Sequence, residues 1–215
     1  VERGAYLAPD DAGEGQAIWM SNENGRRQVL PLAEIKLPGI HNVENYMAAI
    51  AAVDRLVPDK IIRDFAKNFG GVEHRIELVR ELDGVRYYND SIASSPSRTI
   101  AGLNSFPEKV ILIAGGKDKG ISYDSLGPVV NERVKHLILC GATAGVIRSS
   151  VEQAKNYSGL EIVEVEDYHQ AVSLARSRSE AGDVVILSPA STSFDRFDNF
   201  MERGRIFKEI VNSLK

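Results

Sequence analysis

The sequence of 215 residues contains a single cysteine and no long apolar run. Because Cys140 has no partner in the chain, an intrachain disulfide and a cysteine-rich metal site are both excluded. The cysteine ends a short apolar stretch, which indicates a role in core packing and fits a reducing cytoplasm. No apolar run approaches the ~20 residues that a membrane-spanning helix needs. We therefore expect a soluble, cytoplasmic protein.

The sequence also lacks an excess of basic residues, since its formal net charge is -4. Nucleic acid and anionic membranes are for this reason not expected as main partners, and any anion must be held by a local site. No signal peptide opens the chain. Val1 stands where a methionine would begin a complete reading frame, and this favours a fragment or a processed product.

Two common nucleotide-binding signatures are missing. Gly115 and Gly120 have the G-x-x-x-x-G spacing of a phosphate loop, but Ile121 follows where that motif needs Lys and then Ser or Thr. No predicted strand is followed by G-x-G-x-x-G, so a dinucleotide site is not indicated. Within this loop Lys119 is better interpreted as a point charge for a carboxylate, although an exposed surface lysine remains the alternative.

The first part of the chain is predicted to be separate from the rest. Residues 1 to about 35 alternate turn clusters with short apolar stretches, which indicates β-hairpins. Helical spacing follows over His41–Leu56 and Pro58–Phe69, and Gly70-Gly71 then indicates a boundary. After it, Asp83-Gly84 between two apolar runs predicts a further hairpin.

From Val85 onward, apolar strands alternate with amphipathic helices. This order predicts a parallel sheet covered on both faces, with ligands bound beyond the carboxyl ends of its strands. The predicted strands are 85–89, 109–114, 136–140, 161–165 and 183–188, and the predicted helices are 96–105, 122–134, 143–155, 167–180 and 195–213.

Polar clusters follow three of these strands. They are Asn89-Asp90-Ser91, Gly115 to Gly120, and the hydroxyl-rich segment Ser188 to Ser193. Each alone is compatible with an ordinary turn or helix cap, but together they predict one crevice. The last cluster precedes the predicted helix at 195, where free N–H groups and hydroxyls suit a carboxylate or phosphate.

Two further groups lie upstream of these strands. Asn42 and Asn45 are three residues apart on a predicted helix, so their amides can hydrogen-bond a purine or ribose, or merely cap the helix. His74-Arg75 stands just past the predicted boundary, where Arg75 can reach a bound nucleotide.

These motifs together resemble the Mur ligases, the ATP-dependent amide ligases of peptidoglycan synthesis, and among them the D-glutamate-adding branch. The resemblance covers essentially the whole chain, and the segment from Ser188 to Gly204 is its most specific part. The Asp-Asn-Pro-Arg loop of the members that add a diamino acid is absent. The resemblance implies an α/β fold with a Rossmann-like, doubly wound, mostly parallel sheet that begins with a hairpin. A β-hairpin and two helices from the end of a central ATPase domain would precede it.

The same resemblance implies two domains, residues 1–72 as the end of the central ATP-binding domain and 73–215 as the amino-acid-binding domain. It implies ATP contacts and D-glutamate contacts, the latter partly through backbone atoms. The implied ATP contacts are Asn42, Asn45, Arg75 and Asp90, and the implied D-glutamate contacts are Ser94, Lys119, Ser193 and Phe200.

The implied reaction is phosphorylation of the carboxylate of UDP-N-acetylmuramoyl-L-alanine by ATP, followed by attack of the D-glutamate amine. The phosphate loop and the ligands of Mg²⁺ are expected upstream of Val1. The chain alone is thus expected to bind no metal, to lack a catalytic residue of its own, to be inactive and to be a monomer.

One departure from the family pattern concerns charge. Ile92 occupies a position where the family often has lysine, and we hypothesise that Arg98 or Lys117 supplies the missing cation. Two other functions stay open at this point, a folylpolyglutamate-synthetase-like ligase and a non-catalytic module that binds an anion or a partner protein.

Overall fold

The computed structural model describes residues 3–13, 15–37 and 39–215. Val1, on which the expectation of a fragment depends, lies outside them. The chain divides after Gly71 into two compact units. Each is described by itself.

The first unit combines a three-stranded antiparallel sheet with two helices. Strands β1 (Gly4–Pro9), β2 (Gln16–Asn22) and β3 (Gly25–Pro31) pair in chain order. A short 3-10 helix (Leu32–Glu34) and helices α1 (Ile40–Ala52) and α2 (Asp59–Asn68) follow. The predicted hairpin and both predicted helices are thereby confirmed, with one strand more than a single hairpin needs. The core consists of inward residues of β2, β3, α1 and α2, including Ile18, Leu30, Ile50 and Ile62.

The second unit is a six-stranded, mostly parallel sheet. Its strands are β4 (Glu77–Leu82), β5 (Val85–Asn89), β6 (Val110–Ala114), β7 (Val134–Cys140), β8 (Ile162–Val165) and β9 (Val184–Leu187). Its helices are α3 (Pro96–Leu103), α4 (Leu126–Arg133), α5 (Ala144–Glu152), α6 (Tyr168–Arg178) and α7 (Phe200–Ser213). Only β4 runs antiparallel to its neighbour, and Asp83 and Gly84 form the tight turn between β4 and β5 with positive φ angles. The predicted fold class is confirmed.

Helices cover both faces of this sheet, as the apolar strands require. In β6 all five residues are buried. Val110, Leu112 and Ala114 share a core with α3, α4 and α5. Ile111 and Ile113, which point the other way, share a core with α6 and α7. Strand β6 is apolar on both faces because helices cover it on both sides.

The order of the strands brings the polar segments of the second unit to one edge of the sheet. The sheet runs β4-β5-β9-β6-β7-β8, so β9 is inserted between β5 and β6. Because β5, β9 and β6 are parallel neighbours, the three segments that follow them begin at the same edge. This edge is where a doubly wound sheet binds its ligands.

Helix α7 begins later than predicted, at Phe200 instead of near Asp195. The Asn199 side chain accepts a hydrogen bond from the Glu202 amide, and the Glu202 carboxylate accepts one from the Asp198 amide. The first of these bonds satisfies an N–H group of the first turn, and the second holds the chain that leads into the helix. The hydroxyls of the Ser188–Ser193 segment therefore do not surround a helix N-terminus, and that part of the anion-site interpretation is wrong.

None of the helices in the described part of the chain is long and apolar enough to cross a bilayer.

Candidate functional site

Lys119 and Ser94 meet at the carboxyl edge of the sheet. The ammonium of Lys119 donates a hydrogen bond of 3.2 Å to the Ser94 hydroxyl. Lys119 lies in the loop after β6, and Ser94 lies in the segment after β5. Lys119 is exposed and Ser94 is half-buried, so the pair forms a positively charged donor group that a ligand can reach. These two residues were predicted to share a site.

The loop after β6 is joined to the segment after β9 by a short antiparallel bridge. The Lys117 amide donates to the Thr192 carbonyl across 2.9 Å, and the Thr192 amide donates back across 3.1 Å. Gly116 makes this approach possible, because a Cβ there would lie 2.1 Å from the Thr192 carbonyl oxygen. The glycine pair after β6 thus serves close backbone contact, with no need of a phosphate to explain it.

Ser193 and Phe200 lie on the same side of the sheet. Ser193 is buried, and its carbonyl accepts hydrogen bonds from the amides of Arg196 and Phe197. The Phe200 carbonyl accepts a hydrogen bond of 2.7 Å from the Ser91 hydroxyl, in the segment after β5. All four predicted amino-acid contacts therefore belong to segments that leave this edge, and their role stays a prediction.

Arg203 holds the segments after β5 and β9 together. It is completely buried in α7. Its guanidinium donates to the hydroxyl and the carbonyl of Ser91, at 3.0 and 2.8 Å, and to the Ser191 carbonyl at 3.1 Å. These acceptors are neutral oxygens, and burial lowers the pKa of the guanidinium, which nevertheless stays charged. A positive charge is thus fixed beneath the crevice.

The sequence interpretation missed Arg203, although a signal was present. Arg203 lies four residues before Phe207 on α7, and both residues are completely buried. A charged residue in phase with the apolar face of a helix is costly unless it is fully hydrogen-bonded. Such a residue indicates a structural or functional polar contact.

Asp90 is buried at the end of β5 and is bonded within the protein. One carboxylate oxygen accepts from the Ser188 hydroxyl at 2.8 Å, and the other accepts from the Ile76 amide at 3.3 Å. Burial raises the pKa of Asp90 to about 7, in spite of these bonds and of the positive charges of Arg75 and Arg98. With 3% exposure, Asp90 offers little surface to a ligand. Its prediction as an ATP contact remains untested.

Arg75 is presented by a strained segment. The residues on either side of it, His74 and Ile76, have φ angles of 67° and 46°. Positive φ is unfavourable for a β-branched residue such as Ile76. His74 is held by the Glu77 carboxylate, which accepts from its amide at 2.9 Å, and by Asn89, 2.9 Å from its ring nitrogen. His74 is buried, and burial lowers the pKa of its imidazole. Arg75, the next residue, is exposed.

Asn42 and Asn45 lie on α1 in the first unit, where Asn42 is half-buried and Asn45 is exposed. The other predicted ATP contacts, Arg75 and Asp90, belong to the second unit. Joint binding of one nucleotide by these residues therefore stays a prediction.

One group of side chains has the composition of a metal site. Glu73, His74 and Glu77 bring ligand atoms within 4.8 Å of one another. The Lys208 ammonium, however, lies 2.9 Å from the Glu73 carboxylate and 2.7 Å from that of Glu77. The lysine donates to an oxygen of each carboxylate and offsets one of their two negative charges. A histidine is in addition a poor partner for Mg²⁺, which prefers oxygen ligands. The group therefore does not fit a magnesium site.

Comparison with known proteins gives a family match over most of the second unit. Residues 74–191 match the family described as Mur ligase, glutamate ligase domain. The UDP-N-acetylmuramoylalanine–D-glutamate ligase of Ruminiclostridium cellulolyticum is 54% identical over 207 residues, which are 92% of this chain and 43% of that protein. The ligase of the same name from Acetivibrio thermocellus is 52% identical over 219 residues, covering 100% of this chain and 46% of that protein.

A solved structure supports the same fold. The UDP-N-acetylmuramate–alanine ligase of Thermotoga maritima aligns with a TM-score of 0.66 at 17% identity, over 93% of this chain and 43% of that one. At this identity the likeness concerns the fold alone. The chain spans less than half the length of the curated relatives it matches.

Proposed function

This chain belongs to the Mur ligase family through its glutamate ligase domain, and we propose that it forms the amino-acid-binding part of an ATP-dependent D-glutamate ligase. The second unit binds D-glutamate, and the first unit forms the end of the ATP-binding domain. The acyl donor is UDP-N-acetylmuramoyl-L-alanine, activated as an acyl phosphate, and phosphate leaves when the amine of D-glutamate attacks. Identity of 54% to a relative named for D-glutamate favours this amino acid.

The observation that carries the proposal is the Lys119–Ser94 pair at the edge where β5, β9 and β6 end. An ammonium beside a hydroxyl offers a carboxylate both a positive charge and a directed hydrogen-bond donor. The buried guanidinium of Arg203 adds positive charge beneath the same edge. A dicarboxylic amino acid is thus favoured over a neutral one.

These residues bind and orient, and they supply no nucleophile of their own. Lys119, Ser94, Ser193 and the backbone near Phe200 hold the carboxylates of D-glutamate, which leaves its amine free to attack the acyl phosphate. Positioning and electrostatic stabilisation are the main contributions that such a transfer requires.

ATP would be held partly by residues of this chain. The exposed guanidinium of Arg75 fits a phosphate or ribose oxygen, and the amides of Asn42 and Asn45 fit the adenine end. No G-x-x-x-x-G-K-[ST] sequence occurs among the 215 residues. We propose that residues outside this chain bind magnesium, as in the family that the chain resembles, and that the setting is a bacterial cytoplasm with a monomeric ligase.

The proposal is tested by ligation with the full gene product that carries this chain. We expect ATP-dependent product from D-glutamate and at least tenfold less from L-glutamate. Preference for L-glutamate would instead support a folylpolyglutamate-synthetase-like ligase. The 215-residue chain alone should form no product, and product from it would contradict the assignment of the phosphate loop to another part of the protein.

Lys119→Ala tests the D-glutamate site. Its control is Lys155→Ala, which removes another exposed lysine of the same unit. Loss of a charge-assisted hydrogen bond corresponds to a rise of roughly tenfold or more in the KM for D-glutamate. The KM for ATP should change less than about twofold. An unchanged KM for D-glutamate in Lys119→Ala would remove the site from the proposal. Absence of ligation by the parent protein with either glutamate enantiomer would favour a non-catalytic module.

A further inference from the structure

Three buried hydroxyl groups meet beneath the glycine loop, which we define as residues 115–120. The Ser191 hydroxyl lies 2.8 Å from Oγ1 of Thr143 and 2.9 Å from the phenol oxygen of Tyr123. All three residues are almost completely buried. They come from segments that follow β9, β7 and β6. We call them the Tyr123–Thr143–Ser191 cluster.

The cluster holds the beginning of the glycine loop. The Gly116 amide donates to Oγ1 of Thr143 across 3.0 Å, and the Thr143 amide donates to the Gly116 carbonyl across 2.9 Å. Ser191 is followed by Thr192, whose backbone forms the bridge with Lys117. Both contacts at the start of the loop therefore depend on residues that belong to the cluster or are adjacent to it.

The cluster also holds the chain shortly after the loop. Every residue from Lys117 to Ser122 is exposed, and Tyr123 is the first buried residue after them. A segment with so little burial takes its position from its anchored ends. Lys119 lies in the exposed part, between the contacts of Gly116 and that of Tyr123.

Hydrogen-bond accounting shows that the three hydroxyls depend on one another. Oγ1 of Thr143 already accepts from Gly116, so its hydrogen is available to the Ser191 oxygen. Burial raises the pKa of the Tyr123 phenol, which therefore stays neutral and acts as a hydroxyl partner. Removing one hydroxyl leaves a buried group without its partner, and the adjoining segments must shift to compensate.

We propose that Tyr123, Thr143 and Ser191 are positioning residues that hold Lys119 beside Ser94 and so set the affinity for the amino-acid substrate. This inference rests on the proposed function, because it assigns the cluster to the amino-acid site. The residues touch no substrate themselves and act through the glycine loop.

Substitutions at Thr143 test the inference in the full gene product. Thr143→Val keeps the shape and removes the hydroxyl, whereas Thr143→Ser keeps the hydroxyl. We expect Thr143→Val to raise the KM for D-glutamate about tenfold, which corresponds to 1.4 kcal/mol, with less than about a twofold change in the KM for ATP. Thr143→Ser should restore a near-normal value. Tyr123→Phe should act in the same direction, and Ser177→Ala removes an exposed hydroxyl as a control.

A merely structural role would lower the folded fraction in both Thr143 variants without selective loss of D-glutamate affinity. Equal KM values for D-glutamate in Thr143→Val, Thr143→Ser and the parent protein would overturn the inference.

Hydrogen exchange of the 215-residue chain separates this failure from failure of the proposed function. Thr143→Val should speed exchange at the amides of Lys117 and Thr192 at least tenfold, with helix α1 unaffected. Unchanged exchange there would overturn the inference even if D-glutamate is ligated. Absence of D-glutamate ligation by the parent protein would contradict the proposed function, and the inferred role at the amino-acid site would fail with it. Hydrogen exchange would still show whether the cluster anchors the loop.

Discussion

The Ser188 hydroxyl donates a hydrogen bond of 2.8 Å to the Asp90 carboxylate, which joins the end of β9 to the end of β5. The same hydroxyl lies 3.0 Å from Oγ1 of Thr99 on α3. Asp90 is therefore part of a buried network, and its burial raises its pKa to about 7. A carboxyl group in this position makes the stability of the fold depend on pH.

The sign of this dependence follows from the direction of the shift. The folded-state pKa of Asp90 lies above its ordinary value of 3.8, so the folded protein binds the proton more tightly than the unfolded chain. The resulting contribution to the free energy of unfolding is complete below about pH 3.8 and is lost as the pH rises to about 7. Between these limits the loss is roughly 1.4 kcal/mol per pH unit.

Asp90→Asn should remove this contribution, because the amide has a similar shape and does not ionise. Relative to the parent chain, the variant should gain about 2–3 kcal/mol in free energy of unfolding as the pH rises from 5 to about 7, and little more up to pH 8. Urea unfolding of the 215-residue chain at several pH values measures the difference, and Asp124→Asn, at an exposed position, is the control. A difference that does not vary with pH would show that Asp90 ionises normally.

Arg203 should be required for the folding of the second unit. Arg203→Ala leaves the carbonyls of Ser91 and Ser191 without their donor, and we expect a loss of about 3 kcal/mol or more in free energy of unfolding. Arg203→Lys keeps the charge but not the fork of donors that serves both segments, so its loss should be smaller, about 2 kcal/mol. Denaturant unfolding followed by circular dichroism measures both. Arg205→Ala, two residues along the helix and exposed, should change stability by less than about 0.5 kcal/mol.

Much of the fold was predictable because local sequence determines it. The apolar runs of β6 and β9 are short and bounded by turn residues, which is typical of buried strands, and Asp83-Gly84 forms the expected turn. The insertion of β9 between β5 and β6 was not predictable, since alternation of strands and helices indicates parallel strands but not their order. The start of α7 was misjudged because Phe194 stands three residues before Phe197 and six before Phe200, a spacing that also fits one face of a helix. In the structure it lies in a turn and is 62% exposed.

The site was predictable only in part, for a similar reason. Lys119 and Ser94 follow strands whose ends meet, so the general rule for parallel sheets brings them together. Tyr123 and Thr143 belong to no motif, and their importance depends on hydrogen bonds between segments distant in sequence. Only a three-dimensional arrangement reveals such contacts.

Two glycines of the glycine loop should respond differently to alanine. At Gly116 a Cβ would lie 2.1 Å from the Thr192 carbonyl oxygen, so Gly116→Ala must separate the bridged segments. We expect a loss of about 2–3 kcal/mol in free energy of unfolding and weaker binding of D-glutamate. Gly120 has no atom within 4 Å of the position of a Cβ, and its φ of 71° is the only obstacle. Gly120→Ala should therefore cost about 1 kcal/mol. Thermal unfolding compares the two, and equal losses would contradict the role of close packing at Gly116.

The hypothesis that another cation replaces the lysine missing at Ile92 now favours Arg98 over Lys117. The charge of Arg98, like that of Arg75, acts on the Asp90 carboxyl, whereas Lys117 contributes its backbone to the bridge with Thr192. A cation that acts on the same carboxyl as Arg75, the residue proposed to contact ATP, suits stabilisation of transferred phosphate. In the full gene product, Arg98→Ala should lower kcat about tenfold or more, and Lys117→Ala should change it less than about threefold. Arg98→Lys should recover part of the rate, because it restores the charge. Steady-state ligation kinetics at saturating D-glutamate measure these effects, and near-normal rates in both alanine variants would refute the hypothesis.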